Sequence, residues 1–408
     1  MRLLFLSHRL PYPPHKGEKI RALNILKHLA MRHEVHLGCL VDEAQDLAHL
    51  GALRPYARSI AYQRVLPLAR KALALPALLG ARSISVECFY SRALQRKLDD
   101  LIERERIEAL LCSSSPMAEY LYRSRHAARL AGLPRVMDLI DVDSLKWHQY
   151  AQHSAPWVAW IYRHEARHLG AYERRIAASF DRVLVASVRE RDCFPGPGCP
   201  ANLTVMGNGV DLDYFSPQYR ARQMPAGPSL VFTGVMDYRP NVDAMCWFAE
   251  QILPLIRRAR PEVRLYIVGN RPSGAVRGLA KDTGIIVTGF VDDVRDYLAN
   301  ASICIAPLRI ARGVQNKILE AMAMGRPVIA SRGAFEGVQA LPGRDLLVAD
   351  DEAQFAAATI ELLGDAGRRE ALGVSARRCV ERAYSWQENL RVLDELFPPG
   401  NRQERMSA

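Results

Sequence analysis

No run of about 18 uncharged apolar residues occurs in the 408 residues of this chain, so no transmembrane helix is expected. The opening MRLLFLSHRLP holds too short an apolar run for a signal peptide and reads as a first strand. The eight cysteines, at 39, 88, 112, 193, 199, 246, 304 and 379, include no C-x-x-C pair. That argues against a zinc or disulfide framework and for reduced, buried thiols. No low-complexity tract is visible, nor a repeat with a period of roughly 20–50 residues, which sets solenoids and arrays aside. The loop SHRLPYPPHKGEK after the first strand lacks G-x-G-x-x-G, so a dinucleotide-dependent oxidoreductase is disfavoured.

What is present is an ordinary soluble composition, 49% hydrophobic and 24% charged, long enough for two domains. The net charge is +11, and residues 1–200 carry +10 of it, 30 Lys and Arg against 20 Asp and Glu. Such an imbalance suits a negatively charged partner. Two stretches of this half, 66–83 and 156–175, mix apolar or aromatic residues with Arg and Lys and read as candidates for an anionic membrane surface. No nucleic-acid motif accompanies the charge.

Residues 2–7 read as a strand, IRALNILKHLAMRH as a helix and EVHLGCLV as a second strand, the start of a parallel sheet with crossover helices. Further strands are expected at 109–114, 135–141 and 182–187. After residue 228 the alternation restarts with SLVFTG, RLYIVG, GIIVTG, SICIAPL and PVIAS. The polar stretch PQYRARQMPAGPS between the halves suits a linker. Asp138, Asp141 and Asp143 lie at the end of the 135–141 strand, where alternation sends Asp141 and Asp143 to one face. A metal site is not expected there.

The string VMGNGVDLDYFSP is, physically, a turn followed by a capped short element. It also resembles the N-G-V-D-x-x-x-F-x-P signature of family 4 glycosyltransferases, and EAMAMGRPVIAS is similar to that family's E-A-M-A-x-G-x-P-V-I-A block. LVFTG, LYIVGNRP and IIVTGFVDDVRDYLANASICIAPL follow in the same order. Within the family, MDYRPNVDA, DLIDVDSLKW and GVQNKILEAMAMG look most like sugar transferases of bacterial exopolysaccharide and exosortase systems. The resemblance implies the α/β GT-B fold, two Rossmann-like doubly wound domains facing each other across a cleft. The expected division is an acceptor-binding domain over 1–216, a linker over 217–228 and a nucleotide-sugar domain over 229–384. A helix at 385–398 returns to the first domain, and 399–408 form a tail.

The helix containing Lys317 and Glu320 is otherwise apolar, so paired charges on one face need a partner or a ligand. If it starts near Gly313 or Val314, the first-turn N–H groups of 313–315, Gln315 included, with Lys317, make a diphosphate site. The resemblance assigns Glu320 to the ribose hydroxyls, and Gly289 and Phe290 to the base. It assigns Gly17 to a donor- or acceptor-facing loop. Arg312 stands where the family's E-x7-E motif has its first glutamate, which reverses the local charge and offers a second clamp on the diphosphate. Arg239 takes the cationic role of the family's G-R…K-G pair, and Asp141 an acceptor-side role. The reaction implied is metal-independent, retaining transfer of a sugar from a nucleotide-diphosphate donor to a saccharide or lipid-linked acceptor. No cofactor is needed, and the expected location is cytoplasmic, peripheral on the inner membrane face. A GT-B-fold sugar-nucleotide epimerase and a non-enzymatic basic membrane-binding module stand as alternatives.

Overall fold

A computed structural model describes residues 1–398 apart from 67–69, 71–73, 153, 197, 223–226 and 312. Arg312, the 399–408 tail and parts of the 66–83 and 217–228 stretches therefore lie outside the described residues. The chain divides into two compact units, one made of Met1–Gly207 with the segment from Asn389 onward, the other of Asn208–Glu388.

The first unit is built on seven parallel strands: β1 Arg2–Ser7, β2 Glu34–Val41, β3 Ser59–Arg64, β4 Ala109–Ser113, β5 Arg135–Ile140, β6 Arg182–Val185 and β7 Leu203–Val205. Their order is β3-β2-β1-β4-β5-β6-β7. Leu3, Leu4, Phe5 and Leu6 of β1 and Leu110, Leu111 and Cys112 of β4 are all fully buried. Such unbroken apolar runs are what a parallel sheet covered on both faces requires. The second unit has six parallel strands: β8 Ser229–Thr233, β9 Arg264–Val268, β10 Ile285–Gly289, β11 Ile303–Ala306, β12 Val328–Ala330 and β13 Leu347–Val348. Their order is β10-β9-β8-β11-β12-β13. In both sheets the order reverses beside the first strand, between β1 and β4 and between β8 and β11. Ligands of doubly wound sheets bind outside the carboxyl ends of the strands at such a point.

Three boundaries differ from the sequence expectation. The chain changes unit at Gly207–Asn208 rather than after 216. Val210 joins the second core and bridges Ser385, and the Arg377 guanidinium donates to the carbonyls of Leu212 and Phe215. The described part of the 217–228 stretch is likewise docked on the second unit rather than free. Tyr219 Oη donates to Asp293 and Asp296, both at 3.0 Å, and the Arg222 N–H donates to Asp296. Third, the chain re-enters the first unit at Asn389, four residues into the segment expected to return there. In its final helix, Arg391–Leu396, Asp394 binds His28 at 3.0 Å and Arg32 at 2.8 Å.

Candidate active site

In the second unit the helix Arg239–Trp247 follows β8, and the helix Asn316–Ala323 follows β11. Their N-terminal turns thus flank the point where the strand order reverses. The loops after β8 and β9 touch backbone to backbone. A Cβ on Gly269, whose φ is +148°, would fall 1.7 Å from the Gly234 carbonyl oxygen, so only glycine fits there.

The second helix begins at Asn316, with Gln315 as an extended N-cap residue, not at Gly313 or Val314 as expected. Gly313 has φ +63°, a left-handed conformation that a right-handed helix cannot include. Lys317 is therefore in the first turn, and no side chain caps the helix. Its first-turn N–H groups and its dipole end are left to an anion. The Lys317 ammonium donates to Asn241 Oδ1 at 2.9 Å and lies 4.9 Å from the centroid of the Phe232 ring. Asn241, 4% exposed, in turn donates through Nδ2 to the Val235 carbonyl at 2.9 Å.

Burial holds the Lys317 ammonium down to about 8, with the Glu320 charge opposing, and holds the Glu320 carboxyl up to about 7, with Lys317 opposing. Both groups thus shift in the direction of a desolvated charge, not of a closed ion pair. Among the described residues the Glu320 side chain makes no hydrogen bond or ion pair. A simple internal salt bridge is therefore not what these two residues form.

The remaining donor-side residues sit as follows. Arg239 is the first residue of its helix and exposed. Gly289 ends β10 with φ +68°, in the left-handed region, and Phe290 after it is 74% exposed. Gly313 is buried, and Val314 and Gln315 are half-buried. The structure thus brings Lys317, Glu320 and the 313–315 turn together, while Arg312 is not described.

In the first unit Asp141 follows β5 beyond Ile140, whose φ of +70° turns the chain out of the strand. Its carboxyl is held up to about 7 by burial and then by the Glu190 and Asp143 charges. Asp138, within β5, is spent in a fully buried pair with Arg21 at 2.8 Å. Among the described residues, four buried polar atoms at the carboxyl ends of β1, β4 and β5 have no partner: His8 Nδ1, Ser113 Oγ, Ser115 Oγ and Asp141 Oδ1. Unsatisfied buried polar atoms are costly, and these four collect at one edge of the sheet. Gly17 opens the helix Gly17–Ala30 at the surface of the same unit. Sequence reasoning passed over Asn241, Ser113 and Ser115. The one available signal was Asn241 in the first turn after β8.

Two doubly wound units, each with its strand order reversing beside the first strand, give the chain the architecture of the GT-B fold. The family described as Glycosyl transferases group 1 matches residues 227–365, and the chain belongs to that family: it is a glycosyltransferase that uses a nucleotide-sugar donor. A GDP-mannose-dependent alpha-(1-6)-phosphatidylinositol monomannoside mannosyltransferase of Mycobacterium tuberculosis is 32% identical over 284 residues, 64% of this chain and 68% of that protein. An uncharacterized protein of the Klebsiella pneumoniae cps region is 21% identical over 97% of this chain and 99% of its own length. Among solved structures, sucrose-phosphate synthase of Thermosynechococcus elongatus superposes with a TM-score of 0.71 at 17% identity, covering 100% of both chains. Anabaena Alr3699/HepE, in complex with UDP, superposes at 0.67 with 14% identity over 97% of this chain and 99% of that one.

Proposed function

We propose that this chain is a retaining, metal-independent glycosyltransferase of exopolysaccharide biosynthesis. It moves a hexose from a nucleoside-diphosphate donor to a saccharide or lipid-linked acceptor, as a cytoplasmic protein at the inner face of the cell membrane. The observation that carries the reading is the Lys317–Glu320 arrangement. A desolvated ammonium sits in the first turn of an uncapped helix, and an unbonded carboxylate lies one turn further on.

Lys317, Arg239 and Arg312 neutralise the charge that develops on the leaving diphosphate, together with the N–H groups of the 313–315 turn. Preorganised charges of this kind act without reorganisation at the moment of reaction. Glu320 accepts from the ribose hydroxyls, and Gly289 and Phe290 meet the base through their main chain. Gly17 offers backbone to the donor, and Asp141 orients the acceptor hydroxyl. The mannosyltransferase relatives are named as GDP-mannose-dependent, which supports guanine as the base. The cps-region relative supports the polysaccharide setting.

A thermal-shift panel of GDP, UDP and ADP, with and without magnesium, tests the reading on the wild type and Glu320→Ala. Selective stabilisation by GDP, lost in the variant and indifferent to magnesium, is expected. Stabilisation by none of the three at millimolar concentration overturns it.

A further inference from the structure

The helix Pro156–Ser179 presents an aromatic and basic outer face. Trp157 is 74% and Trp160 55% exposed, three residues apart at the start of the helix. The same helical face continues through Arg163, Arg167, Ala171 and Arg174, all exposed. The helix has two acidic residues, and both point inward. Glu165 is spent on Ser83 Oγ and on the N–H groups of Ile84 and Ser85, at 2.6, 2.6 and 3.0 Å. Glu173 is fully buried and binds the Ser144 N–H at 3.2 Å.

Every charge the helix shows to water is therefore positive. Among the described residues, Arg163, Arg167 and Arg174 make no hydrogen bond or ion pair. Together with Ser144, His148 and Pro195 they line an open groove of about 320 Å³. A second aromatic group lies beside it: Trp147 stacks on Tyr162 with centroids 5.3 Å apart and meets Tyr150 at 5.8 Å. The two adjoining helices, Asp143–Gln152 and Pro156–Ser179, thus combine exposed indoles, unpaired guanidiniums and an arginine-lined groove.

We propose that this outer face docks on an anionic phospholipid surface. Trp157 and Trp160 enter the interface between headgroups and acyl chains, and Arg163, Arg167, Arg174 and His148 take lipid phosphates in the groove. Charge complementarity selects this occupant. Indoles prefer the interfacial layer, and each basic residue near an anionic surface strengthens binding. An acidic protein partner would be met by the cations but gives the exposed indole pair no apolar layer to enter. The inference deepens the membrane-associated reading above and rests on it, by naming the surface that makes the contact.

The test is co-sedimentation of the full chain with vesicles of phosphatidylcholine alone or mixed with phosphatidylglycerol. GDP-dependent thermal stabilisation is measured on the same samples, so the donor reading and the membrane reading fail separately. Binding is expected only with the mixed vesicles, falling as salt rises, with a blue shift of indole emission. Trp157→Ala/Trp160→Ala should lower partitioning by about tenfold. Arg163→Gln/Arg167→Gln should lower it by roughly fivefold per charge removed. Both variants should keep the wild-type response to GDP, which shows that they fold. Indifference of the wild type to phosphatidylglycerol overturns the proposal. So does unchanged partitioning of both variants, since another surface would then make the contact.

Discussion

The Lys317 ammonium and the Asn241 side-chain oxygen are 2.9 Å apart, and the Asn241 amide is itself held by the Val235 carbonyl. A cation in the first turn after β11 is thereby fixed in place by the first helical turn after β8. The two elements on either side of the strand-order reversal share one hydrogen-bonded unit. Asn241 also stands against the loop after β8: a Cβ on Gly234 would come within 2.7 Å of its Nδ2, so the amide has little room to turn.

Removing the cation should cost more than loosening it. Lys317→Ala is expected to lower kcat by about 10²–10³, the usual loss for one preorganised electrostatic group. Asn241→Ala should lower it by roughly tenfold. The double variant should fall well short of the product of the two effects, because both act on the same ammonium. Steady-state sugar transfer to any accepted sugar acceptor, with hydrolysis of the donor as a second readout, measures all three.

The Lys317 ammonium titrates at about 8 in the free protein because it is buried without a contacting carboxylate. It must carry its proton to meet a diphosphate. The profile of kcat/KM should therefore decline as pH rises through about 8. Lys317→Arg, whose guanidinium stays charged, should keep a flat alkaline limb whatever its absolute rate. A pH–rate profile of the two proteins decides this.

The Glu173 carboxyl is pushed up to about 8, mainly by burial. Its folded value thus lies above its unfolded value of about 4.5, and between the two the native state binds the extra proton. Stability from this group is full below pH 4.5 and is lost as pH rises through 8. Glu173→Gln mimics the protonated acid and can keep the bonds to Ser144. The variant should therefore gain on the wild type by a few kcal/mol between pH 5 and pH 8.5, read as the difference in urea midpoints.

Arg21 and Asp138 are both fully buried and doubly bonded, with Arg21 Nη1 also donating to the Gly207 carbonyl at 3.2 Å. Asp138→Ala leaves a guanidinium without its counter-charge and should destabilise the first unit by about 3–5 kcal/mol. Replacing both partners, as in Arg21→Met/Asp138→Leu, should cost distinctly less. Urea unfolding of the two variants distinguishes them.

Much of this architecture was legible because buried parallel strands advertise themselves as short apolar runs. Arg2–Ser7, Arg264–Val268 and Ile285–Gly289 fall where the apolar patterning puts them. The strands that escaped notice, Ser59–Arg64, Leu203–Val205 and Leu347–Val348, lie at sheet edges. There one neighbour suffices, and a sequence such as SIAYQR can stay half polar. Lys317 and Glu320 stood out as charges in an apolar helix, which is a local signal. Asn241 carried only its place in the first turn after β8, since its importance comes from the 2.9 Å contact with a residue 76 positions away. The helix start was misjudged for a backbone reason, the positive φ of Gly313, which spacing of apolar residues does not reveal. Asp138 was given no role, and its pairing with Arg21, 117 positions away, is another contact that local patterning does not reveal.

The chain leaves the first unit at Gly207 and comes back at Asn389. The second unit is thus one uninterrupted stretch of polypeptide, while the first is assembled from the segments that precede and follow it. During synthesis, everything from Asn208 to Glu388 emerges before the helix that carries Asp394 and the buried Phe397. The second unit can be finished on the ribosome while the first still lacks the helix Arg391–Leu396. A chain ending before Arg391 would spare the second unit and leave His28 and Arg32 of the first without the Asp394 carboxylate.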